Sequence, residues 1–130
     1  MHIELRAILR ASAPVAALCA NRVDWGARPQ GDDYPAIALH QVGGAQGHTL
    51  QGTDGLFQGR VQVDCYALHY SEARALAQAA KLTLDGYRQD GFRGVFLMED
   101  RDTSERGSNE ADRPCRVSLD FFVNWRTAHV

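Results

Sequence analysis

The chain has 130 residues, of which 45% are apolar, and its 16 acids and 14 bases give a net charge of −2 at pH 7. This length suits one domain around one core, and the charge argues against electrostatic wrapping of nucleic acid, which needs an excess of lysine and arginine. No apolar run approaches the roughly 20 residues of a membrane span, and three cysteines without CxxC spacing argue against a disulfide framework or a zinc knuckle.

The N-terminal residues predict a helix. Apolar residues recur at helical spacing over residues 3–20, and the charged residues among them favour an amphipathic helix over a signal peptide. Proline removes a helical hydrogen bond and clashes with the preceding turn, so Pro14 should divide the helix in two, with Ser12 capping the second piece.

Two strands with a glycine-rich segment between them follow. Residues 34–42 and 56–68 have the composition and alternation of strands. Residues 43–55 contain five glycines, and this segment is too long to be a tight hairpin turn. A loop of this length in a compact domain is usually functional or disordered until it binds. We therefore expect a long loop here that becomes ordered on binding.

The second half of the chain begins with another helix. Residues 71–87 place their apolar side chains on one face, with Ser71 as the expected N-cap and Gly86 as the expected C-cap. The pattern then predicts a third strand, a polar loop with more acids than bases, and a fourth strand, over residues 92–99, 100–114 and 115–125. The polar loop is either solvated or a segment that binds a partner.

Two stretches share one pattern: GRVQVDCYA at residues 59–67 and CRVSLDFFV at residues 115–123. Because successive side chains of a strand point in opposite directions, each stretch has an apolar row and a polar row. Tyr66 and Phe122 continue the polar rows and should be exposed. Arginine and aromatic residues are enriched at protein interfaces, so the polar rows should face a neighbouring protein or a channel. The alternative is a solvated sheet face with cross-strand Arg–Asp pairs.

The candidate interface comprises these polar rows and part of the glycine-rich segment. Its members are Arg60, Gln62, Asp64, Tyr66, Arg116, Ser118, Asp120, Phe122, His48, Thr49, Leu50 and Asp54. No phosphate-loop, dinucleotide-binding, zinc-protease or nucleophile-elbow motif occurs, so no catalytic, cofactor-binding or metal-binding residue is expected. A metal site built from His40, His48, His69 and Asp64 is a weaker interpretation, since single histidines are usually solvated or hydrogen-bonded. A nucleophilic Cys65 is weaker still, because its side chain belongs to the apolar row.

The order of these elements defines the fold class. Helix, two strands, helix and two strands give the order α-β-β-α-β-β over a single domain of residues 1–130. Two hairpins with helices packed on one face predict an α+β fold with a small antiparallel β-sheet. The two strands with the shared pattern are then the second members of their hairpins.

Four stretches together carry a family resemblance: LRAILRASAPVAALCANRV, YPAIALHQV, HTLQGTDGLFQGRVQVDCYALHYSEARALAQAAKLTLDGY and RPCRVSLDFFVNW. With them, nearly the whole chain resembles the tail-completion or tail-terminator proteins of long-tailed bacteriophages and gene transfer agents. The most specific part covers residues 48–84, where the glycine-rich segment, the first patterned strand and the second helix follow one another. No single motif is diagnostic, because the family has no catalytic signature.

The resemblance implies a structural function. Such proteins form a ring, typically hexameric, at the head-proximal end of the completed tail tube, where the ring ends tube polymerisation and joins the tail to the head. The implied partners are further copies of the same chain, the tail tube protein and the head–tail connector or adaptor protein. DNA is implied only as cargo that passes through, and no cofactor, membrane or enzymatic activity is implied. The implied location is the virion tail, assembled in the cytoplasm of the bacterial host.

Two other functions remain open at this point. One is a head-completion or connector protein of the same joint. The other, from a different class, is a small dimeric ligand-binding α+β module. That module would need a concave apolar pocket with convergent polar groups, and the sequence indicates none.

Overall fold

A five-stranded sheet with three helices accounts for residues 2–26, 35–49, 52–89, 91–104 and 115–126, which a computed structural model of the protein describes. In chain order the elements are α1 (His2–Ala11), α2 (Ala13–Cys19), β1 (Val23–Trp25), β2 (Ala36–Thr49), β3 (Gly52–Ala67), α3 (Tyr70–Leu84), β4 (Phe92–Ser104) and β5 (Cys115–Arg126). The predicted α+β class is confirmed, and so is the division of the first helix near Pro14.

The sheet is mixed rather than purely antiparallel as predicted. Its strand order is β1-β2-β3-β5-β4, and β1 runs parallel to β2 while the three other pairs are antiparallel. The prediction missed β1 because three residues are too few to show an alternating pattern. β1 pairs with only the first part of β2, from Ile37 to Leu39.

The glycine-rich segment is not a long loop, so that prediction is wrong. β2 continues to Thr49 and β3 begins at Gly52, and the two strands pair throughout, with Gly44 opposite Gly59. Glycine lowers strand propensity, but a neighbouring strand supplies the backbone hydrogen bonds, and two register shifts absorb the irregularity. The paired backbone also removes the basis for expecting a segment that becomes ordered only on binding.

Several element boundaries also differ from the predicted ones. β4 runs on to Ser104, five residues past the predicted end, because its pairing with β5 overrides the polar composition. His69, not Ser71, occupies the N-cap of α3. Ser12 precedes α2 but makes no capping hydrogen bond, and its hydroxyl instead bonds the Thr83 hydroxyl on α3 at 2.8 Å.

The core lies between the helices and one face of the sheet. The apolar rows of β3 and β5 are fully buried, including Val63 and Phe121, as the alternation predicts. They pack in one cluster with Leu5 and Leu9 of α1 and with Leu76 of α3. Each such side chain contributes about 1.5–3 kcal/mol on burial, so this packing fixes which face of the sheet the polar rows can occupy. None of the described helices is long and apolar enough to span a membrane.

Helix α3 is fixed against the edge strand β4 by an ionic cluster. Arg74 donates two hydrogen bonds to the Asp100 carboxylate, at 2.8 and 2.9 Å, and also bonds Asp102. The Tyr70 hydroxyl accepts a hydrogen bond from Arg74 and donates one to Asp102. The bond with Tyr70 and the two acids raise the pKa of the Arg74 guanidinium, so its charged form is favoured.

The outer edge of β4 is protected by the turn that follows α3. The Gly86 amide donates a hydrogen bond to the Val95 carbonyl at 2.6 Å, and the Leu97 amide donates one to the Asp85 carboxylate at 3.0 Å. Unpaired edge groups invite pairing with other chains, and these bonds occupy two of them. The turn thus limits sheet extension at this edge.

Candidate protein-interaction face

The topology brings the two polar rows together. β3 and β5 are neighbours at the centre of the sheet, and directly opposite residues of an antiparallel pair lie on the same face. The pairs are Arg60 with Phe122, Gln62 with Asp120, Asp64 with Ser118 and Tyr66 with Arg116. All eight predicted strand residues therefore form one surface, opposite the helices, which we call the polar face.

Asp64 is the centre of one hydrogen-bond network on the polar face. Its Oδ1 accepts hydrogen bonds from the Ser118 hydroxyl at 2.7 Å and from the Gln62 amide at 2.8 Å. Its Oδ2 lies 3.4 Å from Nε2 of His40, on the next strand. A buried carboxylate is tolerated only when its oxygens are satisfied, and three side chains from three strands meet that requirement here.

Asp120 is the centre of a second network, which holds two arginines. Oδ2 of Asp120 lies 3.5 Å from Nη2 of Arg60, and Oδ1 lies 3.2 Å from Nη2 of Arg101. Arg101 also approaches the Gln62 side-chain oxygen at 3.5 Å and the Glu99 carboxylate at 3.8 Å. One buried carboxylate thus orients two guanidinium groups.

Burial divides the polar face into two layers, contrary to the prediction of an exposed surface. Asp64, Ser118 and Asp120 are only 2–3% exposed, and Tyr66, predicted to be exposed, is 8% exposed. The longer side chains cover them: the Arg60 side chain is 55% exposed. Short acids therefore lie beneath long bases, because a side chain at the centre of a sheet is flanked by neighbours on both sides.

Sequence reasoning missed part of this face. Arg101 and Glu99 come from β4 and were not predicted, whereas His40 of β2 was placed with Asp64 only in the weaker metal-site interpretation. Arg101 was assigned to the polar loop, because its strand was predicted to end at residue 99. All four residues from 99 to 102 are charged, so the sequence holds no alternation of apolar and polar residues that could have extended the strand.

The predicted residues of the glycine-rich segment lie apart from these networks. His48 and Thr49 belong to the end of β2, and Asp54 belongs to the start of β3. Leu50 lies outside the described residues, and only the backbone of the other three is described. β5 pairs with β3 only from Leu56 onward, so the described sheet is two-stranded at this end.

The thiol of Cys65 lies on the apolar row of β3 and is fully buried. Burial, with a smaller contribution from the charge of Asp64, raises the pKa of the Cys65 thiol far above its ordinary value of 9.0. A nucleophile needs the thiolate form, so this environment opposes the weaker interpretation of Cys65 as a reactive group. Among the described residues, no group of three or more histidine, cysteine or acidic side chains is placed to hold a metal ion.

A shallow groove of about 340 Å³ runs along one side of α1. Its lining is mostly apolar and consists of Glu4, Ala7, Ile8, Ala11 and Tyr87. Glu4 and Tyr87 both take part in other interactions within the protein. The convergent polar groups that a ligand-binding module would need are therefore not gathered in this groove.

Comparison with known proteins gives the context of this fold. The family model described as "Tail completion protein gp17" matches residues 3–123. The chain is also similar to a chain in a solved structure described as "Virion of native gene transfer agent (GTA) particle". That similarity has a TM-score of 0.65 and 23% sequence identity, and it covers 94% of this chain and 91% of that chain. A comparison with curated protein sequences finds no match.

The class of protein follows from the family match and the fold it shares with a virion protein: this is a structural protein of a bacteriophage or gene-transfer-agent tail. More particularly, the chain belongs to the tail completion protein gp17 family. The resemblance found in the sequence is thereby confirmed at the level of the family.

Proposed function

We propose that this protein forms a hexameric ring at the head-proximal end of the tail tube, where it ends tube polymerisation and joins the tail to the head connector. The observation that supports this function most is the family match over residues 3–123, since completing a tail requires a component that acts at its end. The fold shared with a chain of a gene transfer agent virion is consistent with it.

The polar face is a suitable contact surface between neighbouring subunits of the proposed ring. A closed ring needs a heterologous interface, in which one patch of a subunit meets a different patch of the next at a fixed rotation. The helices occupy one face of the sheet, so the opposite face offers a broad, rigid surface for such a contact. Its members come from four strands, from His40 on β2 to Arg101 on β4.

The charge of the chain suits a conduit for DNA. Proteins hold DNA mainly by neutralising phosphates with lysine and arginine. With 16 acids and 14 bases, this chain has no such excess, so DNA would pass without being retained. A basic chain in the same position would slow the passage of the genome.

Electron microscopy of particles from a strain lacking this protein tests the proposed function. We expect overlong tail tubes and heads without tails. Tails of normal length that fail to join heads would assign the protein to the connector side of the joint, as the first alternative requires. Normal intact particles would contradict the proposal altogether.

A further inference from the structure

We propose that the edge of β2 that β1 leaves uncovered, from His40 to Thr49, binds an extended, uncharged strand of the tail tube protein by β-strand addition. We call this stretch the open edge. It deepens the proposed function, on which it rests, by naming the backbone groups that bind the end of the tube. The opposite edge of the sheet is closed, which gives a physical reason why the contact ends polymerisation.

The strand β1 covers only a short part of β2. The Ile37 amide donates a hydrogen bond to the Arg22 carbonyl at 2.9 Å, and the Leu39 carbonyl accepts one from the Gly26 amide at 2.8 Å. Among the described residues, no strand lies beside β2 on this side from His40 to Thr49. The open edge therefore begins directly after the last contact with β1.

The alternation of the strand identifies the outward-facing backbone groups of the open edge. Ile37 and Leu39 direct their amide and carbonyl groups toward β1, so Gln41 is the next residue of β2 to face outward. The continuous pairing of β3 with β5 carries the alternation past the first register shift, where Gly44 and Gln46 face outward. Within the described part of the chain, no backbone hydrogen bond reaches these three residues from the open side.

The composition of the open edge permits pairing with another strand. Residues 36–49 contain no aspartate, glutamate, lysine, arginine or proline, although natural proteins commonly place such residues on exposed edges to prevent pairing. The amide and carbonyl groups of an edge are matched by those of another extended backbone, which adds as a further strand. A strand without charged side chains is therefore the ligand that this edge fits.

The rest of the sheet holds the open edge in place. Between the two register shifts, residues 43–46 pair with residues 57–60 of β3, which pair in turn with residues 122–125 of β5. An edge that is already extended loses little conformational entropy when a strand adds. The register shifts interrupt the ladder on both sides, so the added strand should pair over about four residues.

Helix α1 fixes the point at which the open edge begins. The Trp25 indole donates a hydrogen bond to the His2 carbonyl at 2.8 Å, and the two rings pack edge to face with centroids 4.4 Å apart. Nε2 of His2 also lies 2.9 Å from the side-chain oxygen of Gln41. These contacts hold the side chain of Gln41 and leave its backbone groups on the open side.

The opposite edge of the sheet is closed in two ways. The turn after α3 occupies edge groups of Val95 and Leu97 through the Gly86 amide and the Asp85 carboxylate. Further along β4, residues 99–102 are all charged, which disfavours edge pairing. A subunit with one open edge and one closed edge accepts a strand but does not pass the pairing on. This property is the one needed at the end of a polymer.

A second copy of the chain matches the open edge less well. Pairing of β2 with β2 of another copy uses the same patch on both chains, so it gives a two-fold dimer and not a ring. Pairing of β2 with β4 of the next copy is heterologous, but the β4 edge is closed. A tube end, in contrast, must present the surface at which its next subunit would add. A protein that ends polymerisation must occupy that surface.

Hydrogen–deuterium exchange with and without tubes tests the site. Deuterium uptake of the purified protein is measured by mass spectrometry over a range of concentrations, and again after addition of short purified tubes, which supply many ends. Peptides containing residues 41–46 should exchange about tenfold more slowly only when tubes are present, because backbone hydrogen bonds protect amides. Peptides from residues 95–102, at the closed edge, should exchange equally in both conditions.

Proline substitution tests the outward-facing amides directly. The double variant Gln41→Pro/Gln46→Pro removes two of these amides, so it should weaken binding to tube ends about tenfold or more. Gln41→Ala/Gln46→Ala is the matched control, because it removes both side chains and keeps both amides, and it should bind like the unaltered protein. Thermal melting temperatures of the two variants should be similar, since edge strands tolerate proline.

Three results would overturn the inference. The first is protection of residues 41–46 that appears with rising protein concentration in the absence of tubes, which would assign the edge to a second copy. The second is binding to tube ends without protection of this segment, and the third is an equal loss of binding in the proline and alanine variants. Each of these leaves the proposed function standing, whereas failure to bind tube ends at all would refute the proposed function together with the site.

Discussion

Asp64 shows how a charged residue on a sheet face can be buried and structural beneath the longer side chains around it. It is 2% exposed and accepts hydrogen bonds from Ser118 and Gln62. Its removal would leave both donors without an acceptor inside the protein. Unsatisfied buried groups cost more than the hydrogen bond itself contributes.

Asp64→Ala should therefore lower the free energy of unfolding by about 2–3 kcal/mol. Ser118→Ala removes one donor and leaves the carboxylate with its other contacts, so it should cost only about 1 kcal/mol. Urea unfolding of the two variants checks this order. Equal losses below about 0.5 kcal/mol in both would show that the network is already open to water.

Cys65 should make the free energy of unfolding fall as the pH becomes alkaline. Burial raises the pKa of its thiol above the ordinary 9.0, so above that pH the unfolded chain loses a proton that the folded protein keeps. The unfolded state then binds fewer protons, and the free energy of unfolding falls by about 1.4 kcal/mol per pH unit from this group. Below pH 9 the thiol is protonated in both states and contributes no slope.

The difference between the unaltered protein and Cys65→Ala isolates this effect. The curves of unfolding free energy against pH should run parallel below pH 9 and converge as the pH rises from 9 to 11. Curves that stay parallel throughout would mean that Cys65 is accessible in the folded protein.

At the scale of single residues, the sequence correctly predicted which face of the sheet a side chain occupies but not how deeply that side chain is buried. The alternation of β3 and β5 correctly assigned Val63 to the core and Arg60 to the other face. It could not show that Tyr66 and Asp64 are buried. Their burial depends on side chains from neighbouring strands, and the alternation of one strand contains no information about which strands those are.

The end of helix α3 depends on a left-handed glycine. Gly86 has φ of +83°, and open space surrounds the position of a Cβ atom there. Any cost of substitution is therefore one of backbone strain and not of crowding. Gly43 has equally open surroundings but no positive φ, which makes it a matched control.

Gly86→Ala should lower the free energy of unfolding by about 1–2 kcal/mol, the cost of the left-handed conformation for a residue with a Cβ atom. Gly43→Ala should change it by less than about 0.5 kcal/mol. Thermal unfolding of the two variants gives the comparison. Equal losses would indicate that crowding, not backbone conformation, governs both sites.

Asp85 should control the opening of the β4 edge. Its carboxylate accepts the hydrogen bond of the Leu97 amide at 3.0 Å. Asp85→Ala removes the acceptor, so hydrogen exchange at Leu97 should become faster while exchange within the paired centre of β3 stays the same. Unchanged exchange at Leu97 would mean that another group protects this amide.

At the scale of elements, the spacing of apolar residues predicted those helices and strands in which this spacing is regular. It failed where pairing overrides composition, as in the glycine-rich ends of β2 and β3 and the charged end of β4. In each case the backbone hydrogen bonds of a partner strand stabilise a segment whose own propensity is low. The length of a strand therefore depends on its pairing with a neighbouring strand, and it cannot be predicted from the residues of that strand alone.

At the scale of the molecule, the order of strands decides what the polar rows can do. Two separate hairpins were predicted correctly, but their arrangement placed β3 beside β5, and only that arrangement merges the polar rows into one surface. The sequence gives no direct signal for this order, because either strand of each hairpin can lie innermost. The family match shows that the chain is a tail completion protein, and the use of this merged surface as a subunit contact is our proposal.

The central claim, that this protein ends tail polymerisation, is tested most directly by tube assembly in vitro. Purified tail tube protein is polymerised with and without this protein, and tube lengths are measured by electron microscopy. We predict shorter tubes, with the protein bound at one end only, and a length that falls as its concentration rises. Tubes of unchanged length, or protein bound along their sides, would contradict the account.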